Sequence, residues 1–304
     1  MKVKKKFLKI YTEFLSHEIK TTREMRVVFD ASNGFAGAVM KETIKKERHI
    51  KPTFINCRPS ARFSAHGPNP IAPHATDELS RKVIEQKADL GFIFDGDGDR
   101  VILIDDRGAI VHPDFVAKFY AEHYAPKKII VDRRMGWLVT KDLISERPIT
   151  IIKSKVGHLH VKETMKRNNA GFGVEASGHY YFHVEGTYID SGAIMALKMI
   201  TAVSQISSFA EWISRGKTYP KFGEESFPAT EPDGIIERVK NYAERRGFKL
   251  DLEDGLAAER DDFHFVIRKS ANEPLMRMNA EATDEGILKK EVQMIQSLIN
   301  KKSI

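Results

Sequence analysis

Between two short apolar runs, Leu90–Phe94 and Val101–Ile104, lies the six-residue segment Asp95-Gly96-Asp97-Gly98-Asp99-Arg100. Runs of this length rich in Phe, Ile and Val suit strands and are too short for helices. The segment therefore reads as a tight connection between two buried strands. Three aspartates on alternate positions bring three carboxylates into one turn, and Gly96 and Gly98 give the backbone the freedom to let them converge. Gathered without a cation, they would repel one another. Hard oxygen donors in this number suit Mg²⁺, which keeps other positions for water or a substrate phosphate. A purely structural turn is the weaker reading of Asp95, Asp97 and Asp99.

The rest of the chain repeats a strand, turn and helix grammar, which predicts an α/β fold. Residues 3–20 carry Phe7, Ile10, Tyr11, Phe14, Leu15 and Ile19 at amphipathic-helix spacing, a stripe that needs a partner. Residues 25–29 read as a buried strand feeding a turn, Asp30 to Gly37, and then a helix. A second unit has strands at 128–131 and 149–152, each followed by a turn and a helix, and ends in a helix over 192–204. Residues 217–223 read as a linker. A smaller α+β unit follows, with helices near 234–246 and 284–300 around strands near 263–268 and 275–281. The expected division is 1–110, 111–216 and 217–304.

Composition narrows the function classes. The net charge is +7, but the 49 basic and 42 acidic residues are interspersed, and only Lys2 to Lys6 form a run. That pattern speaks for a solvated surface rather than nucleic-acid binding, and a mild positive bias suits an anionic small substrate. No apolar stretch approaches the ~18 residues of a membrane span. The single cysteine, Cys57, excludes an internal disulfide and fits a reducing compartment, so a cytoplasmic location is expected.

Two further segments, and Arg100 of the acidic loop, carry chemistry. Glu175, Ser177 and His179 alternate in Gly173-Val174-Glu175-Ala176-Ser177-Gly178-His179, an acceptor and two donors suited to vicinal hydroxyls. Arg268 and Ser270, in Arg268-Lys269-Ser270-Ala271-Asn272-Glu273-Pro274, provide a guanidinium fork and a hydroxyl for a phosphate. Arg100 closes the acidic loop, where a fixed cation stabilises a transferring phosphoryl group. Two rival metal-loop readings arise. An EF-hand begins with the same aspartate spacing but needs glycine at its sixth position, where Arg100 sits, and flanking helices. A strand followed by Asp-x-Asp also resembles haloacid-dehalogenase-type phosphatases, with Asp95 as nucleophile and Asp97 as acid/base. Their pattern wants Thr or Val where Asp99 stands.

Taken in order, these loops resemble those of the α-D-phosphohexomutases, the phosphomannomutase/phosphoglucomutase family: a metal loop D-G-D-[AG]-D-R, a sugar loop G-E-x-S-G-H and a phosphate loop R-x-S-[GN]-T-E-P. Asp30 to Gly37 and Phe63 to Pro70 are similar to two segments of the family's second domain. The resemblance runs over nearly the whole chain and implies two α/β domains, the family's second and third, plus a smaller fourth. It implies Mg²⁺ at Asp95, Asp97 and Asp99, and a hexose phosphate (mannose or glucose 1- or 6-phosphate) or bisphosphate bound by Glu175, Ser177, His179, Arg268, Ser270 and Asn272. It also implies catalytic roles for Arg100, Arg134 and His158. Arg134 lies where relatives carry a basic residue near the proton transfer. A permanently charged arginine is a poor base, so Arg134 is expected to act electrostatically and His158 to be the acid/base group. The bland reading of His158 is a helix-start histidine, and His160 matches no motif.

Two departures stand out. Asn272 replaces the family's threonine, and the phosphoserine segment T-[AV]-S-H-N-P is not found in these 304 residues. Ser64 belongs to the second-domain segment and is no substitute. The expectation is a phosphohexomutase that needs a separately supplied phosphoserine domain, docking on the 3–20 helix, or else a truncated frame. The alternatives are a non-catalytic hexose-phosphate binding remnant and the dehalogenase-like phosphatase.

Overall fold

The acidic loop sits at the end of the central strand of the first of three five-stranded sheets. These belong to a computed structural model that describes residues 2–270 and 273–300. Asn272, expected in the phosphate turn, lies outside the described residues. The first sheet comprises β1 (Met25–Asp30), β2 (Ile50–Ile55), β3 (Leu90–Phe94), β4 (Val101–Ile104) and β5 (Ile110–Val111), ordered β2-β1-β3-β4-β5. Both β2 and β3 pair parallel to β1, while β4 and β5 return antiparallel. Helices α1 (Lys2–Ser16), α2 (Ala36–Thr43) and α3 (Asp77–Gln86) cover it. Every residue of β3 and β4 is buried, as an all-apolar run flanked by packed faces requires.

The second sheet repeats this plan. Helix α4 (Pro113–Tyr124) leads to β6 (Lys128–Asp132), α5 (Leu143–Glu146), β7 (Thr150–Ser154), α6 (His158–Asn168), β8 (Phe172–Val174), β9 (Tyr180–Val184) and β10 (Thr187–Asp190). The order β10-β9-β8-β6-β7 mirrors the first sheet strand for strand. The loop between β8 and β9 thus holds the same station as the acidic loop between β3 and β4. Helices α7 (Gly192–Val203) and α8 (Phe209–Arg215) complete this unit. Apolar on all sides, α7 packs against β3, β4, α1 and α2 as well as α4, so one continuous core joins the two sheets. Its lysine, Lys198, reaches out to Glu18 at 2.7 Å.

The third sheet is antiparallel: β11 (Lys221–Pro228), β12 (Lys249–Asp251), β13 (Leu256–Glu259), β14 (Phe263–Lys269) and β15 (Leu275–Ala282), ordered β11-β15-β14-β13-β12. Helices α9 (Pro232–Arg245) and α10 (Glu285–Asn300) bury a core of their own against it. Among the described residues no helix is long and apolar enough to cross a membrane.

Three local expectations change. The first helix stops at Ser16, and its apolar residues are not all covered. Leu15 and the following Ile19 are buried against α7, whereas Phe7 (65% exposed) and Ile10 (55%) face outward. The linker is shorter than expected, because Lys221 and Phe222 pair with β15. Finally, β12 and β13 join the two strands expected in the last unit; at three and four residues they are too short to show a clear alternation. Cys57 is half-buried, and its burial pushes the thiol up to about 11, which fits a packing role.

Candidate active site

Tight packing of glycine backbones builds the acidic loop. A Cβ on Gly34 would lie 2.3 Å from the Gly96 carbonyl oxygen, and one on Gly192 would lie 2.8 Å from the Arg100 carbonyl oxygen, so the turn after β1 and the start of α7 both clamp the loop. Buried Asp95 accepts from the Gly98 and Arg100 amides (2.9 and 3.1 Å) and from Arg100 Nε (2.8 Å). One carboxylate oxygen from each of Asp95, Asp97 and Asp99 lies within 4.8 Å of the others. Burial first, then the neighbouring Asp99, pushes Asp95 up to about 6, whereas His179 holds Asp99 below the usual carboxylate range. The three oxygens form a hard, acidic donor set that fits Mg²⁺.

Residues 60–72 back the loop. The Gly96 amide donates to the Pro68 carbonyl (3.1 Å), and Arg100 Nη1 to Asn69 Oδ1 (3.2 Å). This segment is pinned by His66, whose Nε2 lies 3.2 Å from the fully buried Asp30 carboxylate. Asp30 raises the His66 pKa above its ordinary value, against the effect of burial. Because the folded value is raised, the pair's contribution is full below the unfolded value near 6.5 and is lost as pH rises through the folded one. His66→Gln is therefore expected to lower the melting temperature more at pH 5.5 than at pH 8.5. An equal loss at both would show that the ion pair contributes nothing.

The 173–179 loop joins the acidic loop directly. Arg100 and His179 form an isolated antiparallel bridge, the Val101 amide donates to the Gly178 carbonyl (3.0 Å), and His179 Nε2 lies 3.4 Å from Asp99. Gly178, at φ +87°, presses on Ile102 and leaves no space for a side chain. Ser177 Oγ and His179 Nδ1 are 3.0 Å apart. Glu175 lies beside His179 in this loop, its Oε2 3.3 Å from His179 Nδ1. It is 1% exposed and accepts from the Gly157 amide (2.7 Å) and the Tyr181 hydroxyl, with Arg134 Nη2 at 3.9 Å. These bonds tie the loop to the start of α6 and to β9.

Ser177 opens on a cleft of about 350 Å³ where all three units meet, with Ile71, Arg134, Lys221, Glu224 and Asn279 in its walls. Arg134 is buried and chelates Asp132 (Nη2 to Oδ2, 2.6 Å), and its Nη1 reaches Glu224 at 3.0 Å. Burial alone would lower its pKa; the carboxylates of Asp132, Glu224 and Glu175 override that and keep it a fixed cation. Arg268 Nη2 also meets Glu224 (3.1 Å), as does Arg277 Nη1 (3.2 Å). Ser270 is half-buried at the turn after β14, its amide donating to the Leu275 carbonyl (2.8 Å). His158 begins α6, is 58% exposed, has Asp190 Oδ2 at 3.7 Å from its Nδ1, and is not in the cleft wall. Sequence reasoning missed Lys221, Glu224 and Arg277. The first two fell in or beside the expected linker, and a strand arginine carries no motif.

Residues 5–108 match the family model described as phosphoglucomutase/phosphomannomutase, alpha/beta/alpha domain II, and residues 113–219 match that of alpha/beta/alpha domain III. The chain is 31% identical over 296 residues to the phosphomannomutase of Methanocaldococcus jannaschii, covering 96% of this chain and 65% of that one. It therefore spans just under two thirds of this relative's length. Among solved structures, a phosphoglucomutase/phosphomannomutase family protein from Burkholderia thailandensis superposes with a TM-score of 0.83 at 23% identity, over 98% of this chain and 65% of the other. An N-acetylphosphoglucosamine mutase from Aspergillus fumigatus, in complex with GlcNAc-6P and magnesium, gives 0.65 at 14% identity over 95% and 63%. At these identities the two structures establish the fold.

Proposed function

The chain belongs to the phosphoglucomutase/phosphomannomutase family of α-D-phosphohexomutases, and on that premise we propose that it is the hexose-phosphate-binding and metal-binding part of a phosphohexomutase. The observation that carries this reading is the bridge between Arg100 and His179, which couples a three-carboxylate loop to the Glu175-Ser177-His179 loop. We assign residues 1–110 to the metal domain, 111–216 to the sugar domain and 217–304 to the phosphate domain.

Asp95, Asp97 and Asp99 would hold Mg²⁺, which supplies Lewis acidity at a phosphoryl oxygen. Arg100, fixed by Asp95 and Asn69, would offer positive charge to the transferring group. Glu175, Ser177 and His179 would bind sugar hydroxyls, and Arg268 with Ser270 the phosphate that is not reacting. Arg134 is too firmly charged to take a proton and would act through its field. His158, at the exposed start of α6 beside Asp190, would move the proton of the attacking hydroxyl. Neither oxygen of Asp95 is free of hydrogen bonds, which disfavours it as a phosphatase nucleophile.

The phosphoryl donor would come from outside these 304 residues, on a separate phosphoserine domain in a cytoplasmic setting. The outward face of α1, with Phe7 and Ile10, is the surface we propose for it. The expected result is no conversion of mannose 1-phosphate or glucose 1-phosphate by the 304-residue chain, even with hexose bisphosphate, and conversion once a phosphoserine domain is added. Isomer formation by the chain alone would overturn the need for a donor. Release of inorganic phosphate that disappears in Asp95→Asn would replace the mutase reading with a phosphatase.

A further inference from the structure

Arg268 on β14 and Arg277 on β15 are direct cross-strand partners. Like charges facing each other across a ladder are unfavourable unless an anion lies between them. The anion shared by both is Glu224, while Glu273 Oε2 meets Arg277 alone at 3.4 Å. The pairing of β11 with β15 is regular up to Phe222 opposite Ala280 and resumes at Glu225 opposite Met278, and the irregularity falls on Gly223 and Glu224. A bulge of this kind re-aims a side chain. Here it turns the Glu224 carboxylate onto three guanidiniums: Arg134 Nη1 at 3.0 Å, Arg268 Nη2 at 3.1 Å and Arg277 Nη1 at 3.2 Å.

The arginines are not used up by it. The Nε atoms of Arg268 and Arg277 are both buried and have no hydrogen-bond partner among the described residues. Buried donors of this kind are costly and call for an acceptor. A single carboxylate has two oxygens, both engaged by the Nη groups; a phosphate dianion has three or more and more charge. Glu224 also lines the cleft onto which Ser177 opens, so it stands at the point a ligand phosphate would have to reach.

We propose that Glu224 is a built-in competitor, a carboxylate that fills the arginine cluster in the free protein and is displaced when the phosphate group of a ligand enters. This rests on the hexose-phosphate reading for the ligand's identity and deepens it, since the displaced carboxylate sets how tightly the distal phosphate is held. The cluster stays intact without ligand because Glu224 offsets the repulsion between Arg268 and Arg277. Selectivity follows as well: a group of lower charge than a phosphate dianion gains little by exchanging with a carboxylate.

The test is calorimetric titration of the whole chain with inorganic phosphate and, separately, with glucose 6-phosphate. If the filled state leaves only a minor fraction of the site competent, Glu224→Gln is expected to tighten phosphate binding by about tenfold, because apparent affinity scales with the competent fraction. Adding Arg277→Leu to Glu224→Gln should cancel the gain. Unchanged or weakened phosphate binding in a folded Glu224→Gln protein would overturn the proposal, as would no detectable binding in either protein. Should Glu224→Gln fail to fold, Glu224→Asp keeps the charge but withdraws it by one methylene; tighter binding supports displacement and unchanged binding sinks it. Equal tightening for both ligands, with the sugar phosphate bound no better than phosphate, would support displacement while removing the hexose-phosphate reading.

Discussion

Asp97→Asn is expected to lower Mg²⁺ affinity by at least about 100-fold while leaving the protein as stable as before. The magnitude follows from first-sphere ligation, since even outer partners of a metal ligand cost about 10–100-fold when removed. The lack of a folding penalty follows from the structure. Asp97 is exposed and, among the described residues, makes no hydrogen bond or ion pair, whereas Asp95 is buried under two amides and a guanidinium. Asp97 is thus the carboxylate whose presence the fold itself does not explain. Titration calorimetry with magnesium chloride reads the affinity, and melting temperature with and without the ion reads the linked stabilisation. Binding in the unmodified protein should weaken as pH falls through about 6, where Asp95 takes up a proton. Magnesium affinity untouched by Asp97→Asn would remove the metal assignment.

The second large effect concerns the joint between the last sheet and the rest. Lys221 enters a buried pair of carboxylates, Asp114 Oδ2 at 2.7 Å and Glu281, the former fully buried and the latter 2% exposed. The same two groups accept from the backbone amides of Gly136 (3.1 Å) and Trp137 (2.7 Å), so one cluster ties β11 and β15 to the turn after β6. Lys221→Met keeps most of the stem volume but strands two buried charges, for which a loss of about 3–5 kcal/mol is expected at neutral pH. Acid should narrow that loss. Burial pushes Asp114 up, but Lys221 and then His112 outweigh it and hold the carboxyl well below its ordinary range. A depressed folded value means stability that is present above the unfolded value, near 4, and is lost as pH falls toward the folded one. In Lys221→Met the lysine's share of that depression is gone, so the difference between the two proteins should be smaller at pH 3 than at pH 7. Urea unfolding at the two pH values measures it. A difference below about 1 kcal/mol at pH 7 would mean that water reaches the pair and screens it.

The strands around the acidic loop have the same bounds in the sequence reading and in the structure, Leu90–Phe94 and Val101–Ile104. Their residues are apolar without alternation, and burial on both faces leaves no other outcome for runs that short. The α/β grammar was legible for the same local reason, as a strand, a turn and a helix each leave a mark within a dozen residues. Phe7 and Ile10 show the limit of that method. Periodicity identifies an apolar helix face but not whether anything lies opposite, and in α1 Leu15 is buried while Phe7 and Ile10 are exposed.

What the sequence by itself determined is the chemistry on offer: three carboxylates in one turn, a Glu-Ser-His loop, and an Arg-Ser turn. Each is contiguous, and each acts through residue types that are scarce in such density. Tertiary structure alone decided how these parts are used. It buried Glu175 under the Gly157 amide, set Arg268 against Arg277 by strand register, and brought Glu224 to them through an irregularity in the pairing of β11. It also closed two carboxylates around Lys221. The partners in these arrangements lie up to more than a hundred positions apart, and whether a charge ends up exposed, paired or poised for exchange depends on which distant backbone comes to rest beside it.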